Sequence, residues 1–180
     1  MSAVLGTTEA PPLALSDINL LDRMHFVAAL GGVFEHSPWV AAQAWSERPF
    51  ASIDQLHRAM IGVVRTATRE ARIDFLRMHT ELAGREAQAG TMTDHSTAEQ
   101  AGLNALTCEQ LQTLRALNAS YAAKHGFPFV IAVLANTRAQ IFEALRTRID
   151  RDTDTELESA LDQIAIITRL RLGRLLGGAH

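Results

Sequence analysis

Thr107-Cys108-Glu109-Gln110-Leu111-Gln112-Thr113-Leu114-Arg115-Ala116-Leu117-Asn118-Ala119-Ser120-Tyr121 is the stretch that decides the fold. It opens with a hydroxyl, places Gln110 three residues on, and then repeats apolar side chains at Leu111, Leu114, Leu117 and Tyr121. In such a capping box the hydroxyl accepts from an orphan backbone N–H of the first turn, and the glutamine reaches back to the cap N–H. One cap contributes about 1 kcal/mol. The apolar spacing that follows is that of one face of a helix.

The same opening recurs along the chain, at Ser52/Gln55, Ser96/Glu99, Thr137/Gln140 and Thr153/Glu156. Apolar stripes follow: Ile53, Leu56, Met60 and Val63; Ile141, Leu145 and Ile149; Leu157, Leu161 and Ile164. Ile73 and Leu76 predict a further helix over 69–79. Gly31-Gly32 and Gly126 read as helix stops, because glycine tolerates the left-handed conformation past a helix end. Residues 82–94, rich in glycine and small side chains, read as a loop. Residues 127–135 are apolar and partly β-branched, but no second strand candidate exists to pair with them, so they read as a buried extended stretch with a helical tail. The pattern predicts an all-α fold: a single compact multi-helix domain over 19–180, preceded by a flexible arm over 1–18 that contains Pro11-Pro12.

Composition bounds the function. A chain of 180 residues, 47% hydrophobic and 21% charged, is long enough for one real core. The 17 basic and 20 acidic residues give a net charge of −3, so no basic excess points to nucleic acid or an anionic lipid surface. The single cysteine, Cys108, excludes an intrachain disulfide framework and fits a reducing, cytoplasmic setting. The first residues lack the pattern of a signal peptide, and the longest apolar run is too short to span a bilayer.

Candidate chemistry starts with the histidines. His25, His36, His57, His95, His125 and His180 share no ligand spacing, and no His-Glu-x-x-His pattern exists, so no metal site is expected. His79 differs by its place, at the end of a predicted helix before a glycine-containing loop, where an imidazole is either a surface group or a proton-exchanging group in a cleft. Ser96 and Glu99 are fully accounted for as a capping box; alternatively, the same helix start is a place for an anionic substrate, with Glu99 and Gln100 facing it. Arg169, Arg171 and Arg174 on the last helix either complement its dipole or offer a guanidinium fork to a carboxylate or carbonyl. Cys108 has no base partner and reads as structural.

An ordered set of segments resembles a known family. They are Phe34-Glu35-His36-Ser37-Pro38-Trp39-Val40, Arg48-Pro49-Phe50, His79-Thr80-Glu81-Leu82-Ala83-Gly84, Ser96-Thr97-Ala98-Glu99-Gln100-Ala101-Gly102-Leu103, Leu117-Asn118 with Tyr121, Gly126-Phe127-Pro128-Phe129-Val130-Ile131, and Arg171-Leu172. In order and spacing the chain resembles the 2-oxo-4-hydroxy-4-carboxy-5-ureidoimidazoline (OHCU) decarboxylases over about 19–176. The resemblance implies decarboxylation of that ureidoimidazoline to (S)-allantoin in urate degradation, with no metal or organic cofactor, in a homodimer. It places the catalytic pair on His79 and Glu99. Substrate contacts fall on Thr80, Ser96, Gln100, the backbone of Ile131, Ala132, Val133, Leu134 and Ala135, and on Arg171, with Arg169 or Arg148 as alternatives for the arginine.

The chain departs from the family pattern at Thr80, where a proline is usual. Proline would fix φ and remove a donor, so threonine leaves the His79 ring less rigidly aimed. His125 and Arg151 also differ from the usual residues. Thr80 keeps open a non-catalytic relative that binds a ureide or purine-like heterocycle, and a relative that decarboxylates another such ring. A helical DNA-binding module is disfavoured by the acidic net charge.

Overall fold

The computed structural model of the chain describes residues 13–84, 94–100, 103 and 106–177. Its helices are α1 (Leu15–Leu20), α2 (Arg23–Leu30), α3 (Pro38–Ala44), α4 (Ile53–Arg65), α5 (Arg69–Arg77), α6 (Asp94–Gln100), α7 (Cys108–His125), α8 (Arg138–Ile149) and α9 (Thr153–Leu175). Tight 3-10 turns at Gly31–Phe34, Trp45–Glu47 and Val133–Ala135 redirect the chain between them, and no strand forms among the described residues. The all-helical expectation holds. Among the described residues no helix is long and apolar enough to cross a membrane.

α9 is the axis of the molecule. It packs against α4, α5, α7 and the Gly31–Phe34 turn, while α2, α3 and α4 stack on one side and α7 and α8 pair on the other. The reason lies in its stripe: Leu157, Leu161, Ile164, Thr168, Arg171 and Leu172 are all buried, at three- and four-residue steps along one face. Arg171 is therefore carried into the interior by the same periodicity that buries the leucines. Burying a Leu or Ile side chain contributes about 1.5–3 kcal/mol.

Helix starts follow the predicted hydroxyls in part. Thr107 and Thr137 form complete capping boxes with Gln110 and Gln140. Ser52 accepts from the Gln55 N–H, but the Gln55 side chain accepts from Ala51 N–H instead of the cap. Thr68 caps α5, a start that the box pattern does not flag. Thr153/Glu156 is not a box: Asp152 caps α9 through the Asp154 and Thr155 N–H groups, one residue earlier. That shift turns Glu156 inward, where it is fully buried.

Helix ends differ in mechanism. Gly126 adopts the left-handed conformation at φ 80°. α2 stops at Leu30, but Gly31 stays right-handed at φ −60°, and the chain tightens into the 3-10 turn. The helical body begins before residue 19, since α1 starts at Leu15 and Ile18 is fully buried. The remainder of the expected arm lies outside the described residues, as do most of the 82–94 loop, residues 101 and 102, and the last three residues.

Residues 127–132 run extended and buried, and Val133–Ala135 form the short helical tail that the sequence predicts. A polar cluster fixes this stretch from behind. Arg148 Nη1 donates to the Val130 carbonyl at 3.0 Å, its guanidinium lies 4.5 Å from the centre of the Phe129 ring, and its Nε donates to Glu156 at 2.7 Å. Tyr121 O–H donates to the same Glu156 oxygen at 2.6 Å. Burial, the hydrogen bond and the charge of Glu156 push the tyrosine pKa far up, so it stays a donor.

Arg148→Met leaves the buried Glu156 with only the longer contact to the half-exposed Arg151, at 3.8 Å. We expect a loss of about 3–5 kcal/mol in urea unfolding. Adding Glu156→Leu and Tyr121→Phe is expected to restore at least half of that loss, because a buried ion pair replaced wholesale by apolar groups is often neutral.

Candidate active site

Where α5 ends, the chain turns through Met78 and presents His79. The expected helix over 69–79 stops two residues short, with His79 N–H still donating to Leu76 at 3.1 Å. The imidazole stands edge-on to Phe75, centroids 4.8 Å apart, and its Nδ1 lies 3.1 Å from the Phe75 carbonyl. A carbonyl only accepts, so Nδ1 carries the proton and Nε2 the lone pair. Nε2 is buried and has no hydrogen-bond partner within the protein. Just beyond, Asn118 on α7 donates to the Leu82 carbonyl at 3.0 Å, and Arg77 donates to the Gly126 carbonyl at 2.8 Å. These bonds tie the turn that bears His79 to the other half of the fold.

His79 lines a cavity together with Glu35, Thr80, Ser96, Glu99, Arg171 and the apolar wall Phe129 to Leu134. Arg171 is its organising charge. The Nε and Nη2 atoms grip both oxygens of Glu99 at 2.8 and 2.7 Å, Nη2 also donates to Glu35 at 2.9 Å, and Nη1 donates to the Val33 carbonyl at 3.1 Å. The arginine side chain is 2% exposed, Glu35 4% and Glu99 12%, so these are charge-assisted bonds in a dry setting. Burial acts to lower the arginine pKa, but Glu99 and then Glu35 outweigh it and raise it.

Ser96 and Glu99 do not form a capping box. α6 begins at Asp94, which sets Ser96 inside the helix. Residues three apart share a helix face; here that face turns inward, with Ser96 donating to Glu35 and Glu99 meeting Arg171. The helix-start site for an anion expected there is thus replaced by a side-chain site. Gln100 is the last residue of α6, and its side chain lies outside the described residues.

Of the sequence candidates, His79, Thr80, Ser96, Glu99, Arg171 and residues 131–134 converge on one cavity. Ala135 lies beside it and is exposed. The Ala132 N–H is already given to Gln163 Oε1 at 3.0 Å. The alternatives for the arginine lie elsewhere: Arg169 pairs with Asp54 on the outer surface, and Arg148 belongs to the buried Glu156 cluster. The signal that separates them is phase, since Arg171 continues the stripe of Leu157, Leu161 and Ile164 and Arg169 does not.

Glu35 is the residue that sequence reasoning passed over, although it stands in one of the resembling segments. It follows the buried pair Val33-Phe34, but His36 and Ser37 come next, so its neighbours give no apolar pattern that would mark it as buried. Its backbone is strained at φ 51°, ψ −119°, a conformation that costs about 1–3 kcal/mol in a residue with a side chain. Burial pushes its carboxyl pKa up, but His79, the Ser96 hydroxyl and Arg171 together hold it below the ordinary carboxylate value. Burial likewise pushes the His79 pKa below its ordinary value, against Glu35 and the Phe75 carbonyl and with help from Arg171 and His36.

A helical domain that gathers an imidazole, two carboxylates and a guanidinium around one apolar-walled cavity has the equipment of an enzyme that moves protons on a small polar substrate. The sequence profile of the OHCU decarboxylases matches residues 19–173, and the chain belongs to that family. It is 41% identical over 165 residues to the OHCU decarboxylase of Halalkalicoccus jeotgali, covering 91% of this chain and 92% of that one. With the Haloferax volcanii OHCU decarboxylase it shares 43% over 162 residues, 89% and 94% of the two chains. In structure it resembles the crystal structure of (S)-allantoin synthase, with a TM-score of 0.74, 25% identity and 91% of this chain covered; it spans 54% of that protein.

Both His79 and Glu35 bind protons less readily in the folded chain than in the unfolded one, so stability rises with pH through their range. For His79 the contribution is complete above the ordinary value of 6.5 and is lost as the pH falls from there towards the lowered value. The Tm is expected to drop between about pH 7.5 and about pH 5.5, and more shallowly in His79→Asn. Equal slopes in the two proteins would contradict a neutral buried imidazole.

Proposed function

We propose that this chain decarboxylates 2-oxo-4-hydroxy-4-carboxy-5-ureidoimidazoline to (S)-allantoin, in urate degradation, with His79 and Glu99 as the proton-transfer groups. The observation that carries the reading is the convergence of His79, Glu99, Ser96 and Arg171, remote in sequence, on one cavity. Membership of the family and the names of its relatives support the substrate.

The chemistry suits such a site. When the C–C bond to the carboxylate breaks, CO₂ leaves and the electron pair moves into the adjoining ring imine. The hydroxyl proton is lost to form the new carbonyl, while the imine nitrogen and the carbon bearing the ureido group each gain a proton. One of these replaces the hydroxyl proton, and the other comes from solvent. His79 Nε2, with its lone pair, takes the hydroxyl proton, and Glu99 shares in returning protons to the ring. A placed acid or base of this kind contributes about 10²–10⁴-fold. Arg171 and Ser96 orient the ureido and carboxylate groups, with Gln100, Thr80 and the backbone of residues 131–135 completing the contacts. Protonation from one fixed face gives a single enantiomer.

We infer, from the family resemblance alone, a second copy of the chain as partner and a cytoplasmic location. Leu20 and Met24, 85% and 71% exposed, offer apolar surface to such a copy. Light scattering at micromolar concentration tests the dimer against the 19.7 kDa monomer.

The activity test uses substrate freshly generated from urate and follows allantoin by circular dichroism. The wild type is expected to speed the signal and fix its sign; His79→Ala and Glu99→Gln are expected to remain folded and lose at least about 10²-fold of the acceleration. Wild-type rates in both variants would remove these residues from the mechanism. An unchanged, racemic background with the wild type would favour a non-catalytic relative, the reading that Thr80 keeps open.

A further inference from the structure

His79 and Glu99 line the same cavity, yet Glu99 is fully engaged elsewhere: both of its oxygens are held by Arg171 Nε and Nη2. Glu35 is engaged through one oxygen only. Its Oε1 accepts from Ser96 and from Arg171 Nη2, while Oε2 is buried with no partner in the protein. Among the described residues, His79 Nε2 is the other buried, unpartnered acceptor lining this cavity. Both atoms lie in one cavity, where each residue acts on the other through its charge. The backbone at Glu35, held at φ 51°, is the local distortion that delivers the carboxylate there.

We propose that Glu35, and not Glu99, is the carboxylate that sets the proton occupancy of His79, as a positioning residue that acts through the imidazole. Among the described residues, the charged and titratable groups around His79 are Glu35 and His36 from the turn after Gly31–Phe34, Glu99 from α6, Arg171 from α9, and its chain neighbours Arg77 and Glu81, which line a second cavity with it. The wall formed by residues 127–135 contributes none. After burial, the strongest influence on each of Glu35 and His79 is the charge of the other. Arg171 and His36 act on the imidazole in the opposite direction to Glu35. With Glu99 neutralised by its two-pronged bond to Arg171, Glu35 is the negative charge left to face the imidazole. A proton bound at the imidazole is then stabilised by the charge of Glu35, and it is available to a substrate that must gain one from solvent.

The test is titration of the full-length chain by NMR, with His79 followed at ¹³Cε1 and Glu35 at ¹³Cδ, beside the pH profile of kcat/KM. Glu35→Gln keeps an oxygen for Ser96 and Arg171 and removes the charge. The His79 midpoint is expected to fall by about one unit, and the limb of the pH profile assigned to His79 is expected to fall with it. Glu35→Asp, which keeps the charge, is expected to return the midpoint most of the way, and Glu99→Gln to leave it in place. An unmoved midpoint in folded Glu35→Gln overturns the proposal, as does an equal movement in Glu99→Gln. If Glu35→Gln does not fold, the wild type decides: shared titration steps at His79 and Glu35 support the pairing, and independent single steps overturn it. The kinetic arm alone rests on the decarboxylase reading. Coupled titration in a wild type that makes no allantoin would sink that reading and leave the pairing standing.

Discussion

The buried guanidinium of Arg171 is the point on which the architecture turns. It reaches three parts of the chain at once: Glu99 on α6, Glu35 after the Gly31–Phe34 turn, and the Val33 carbonyl within that turn. A charge this deep persists only when its donors are met, and removing one partner of a buried pair costs about 3–5 kcal/mol. The short helix α6, seven residues long, gains most from this bond, since an isolated helix of that length is not stable in water. Its inward face holds Ser96 and Glu99 where they are because Arg171 and Glu35 wait for them.

A second buried arginine does the corresponding work on the opposite wall. Arg148 holds the Val130 carbonyl and packs on the Phe129 ring while its charge is met by Glu156. Gln163 and Asn136 hold Ala132 from its two sides, at the N–H and the carbonyl. An extended stretch of backbone with no strand beside it would leave its polar groups unsatisfied in the interior. These side chains supply the missing partners, and the apolar wall of the cavity keeps its shape.

Between the two arginines sits His79, aimed by its own helix through the Phe75 carbonyl and the Phe75 ring. Proline is the usual residue after this histidine in the family, and Thr80 lacks its fixed φ. In this chain the aim comes from the Nδ1 contact and from Asn118, which anchors Leu82 three residues on. The ring therefore has a defined tautomer without the proline, and its free nitrogen lies in a cavity where the one uncommitted carboxylate oxygen among the described residues is Glu35 Oε2.

The sequence by itself determined the helical class, the helices from Ser52 onward that carry clear apolar stripes, the caps at Thr107 and Thr137, the stop at Gly126 and the buried stretch over 127–135, because propensity, capping and apolar periodicity act within a few residues. It also carried the family, through ordered segments that hold His79, Ser96, Glu99 and Arg171. What it left undecided depended on contacts across the chain. A Ser-x-x-Glu pattern reads the same at a helix start and inside a helix, so only the placement of α6 beside the Val133–Ala135 turn, with Arg171 of α9 reaching Glu99, turned Ser96 and Glu99 from a cap into a site. Thr153/Glu156 misled for the same reason, since Asp152 one residue earlier took the cap. Glu35 was silent in sequence because its role comes from a strained turn meeting α6 and α9, and residues 35, 96 and 171 become neighbours only when the chain closes on itself.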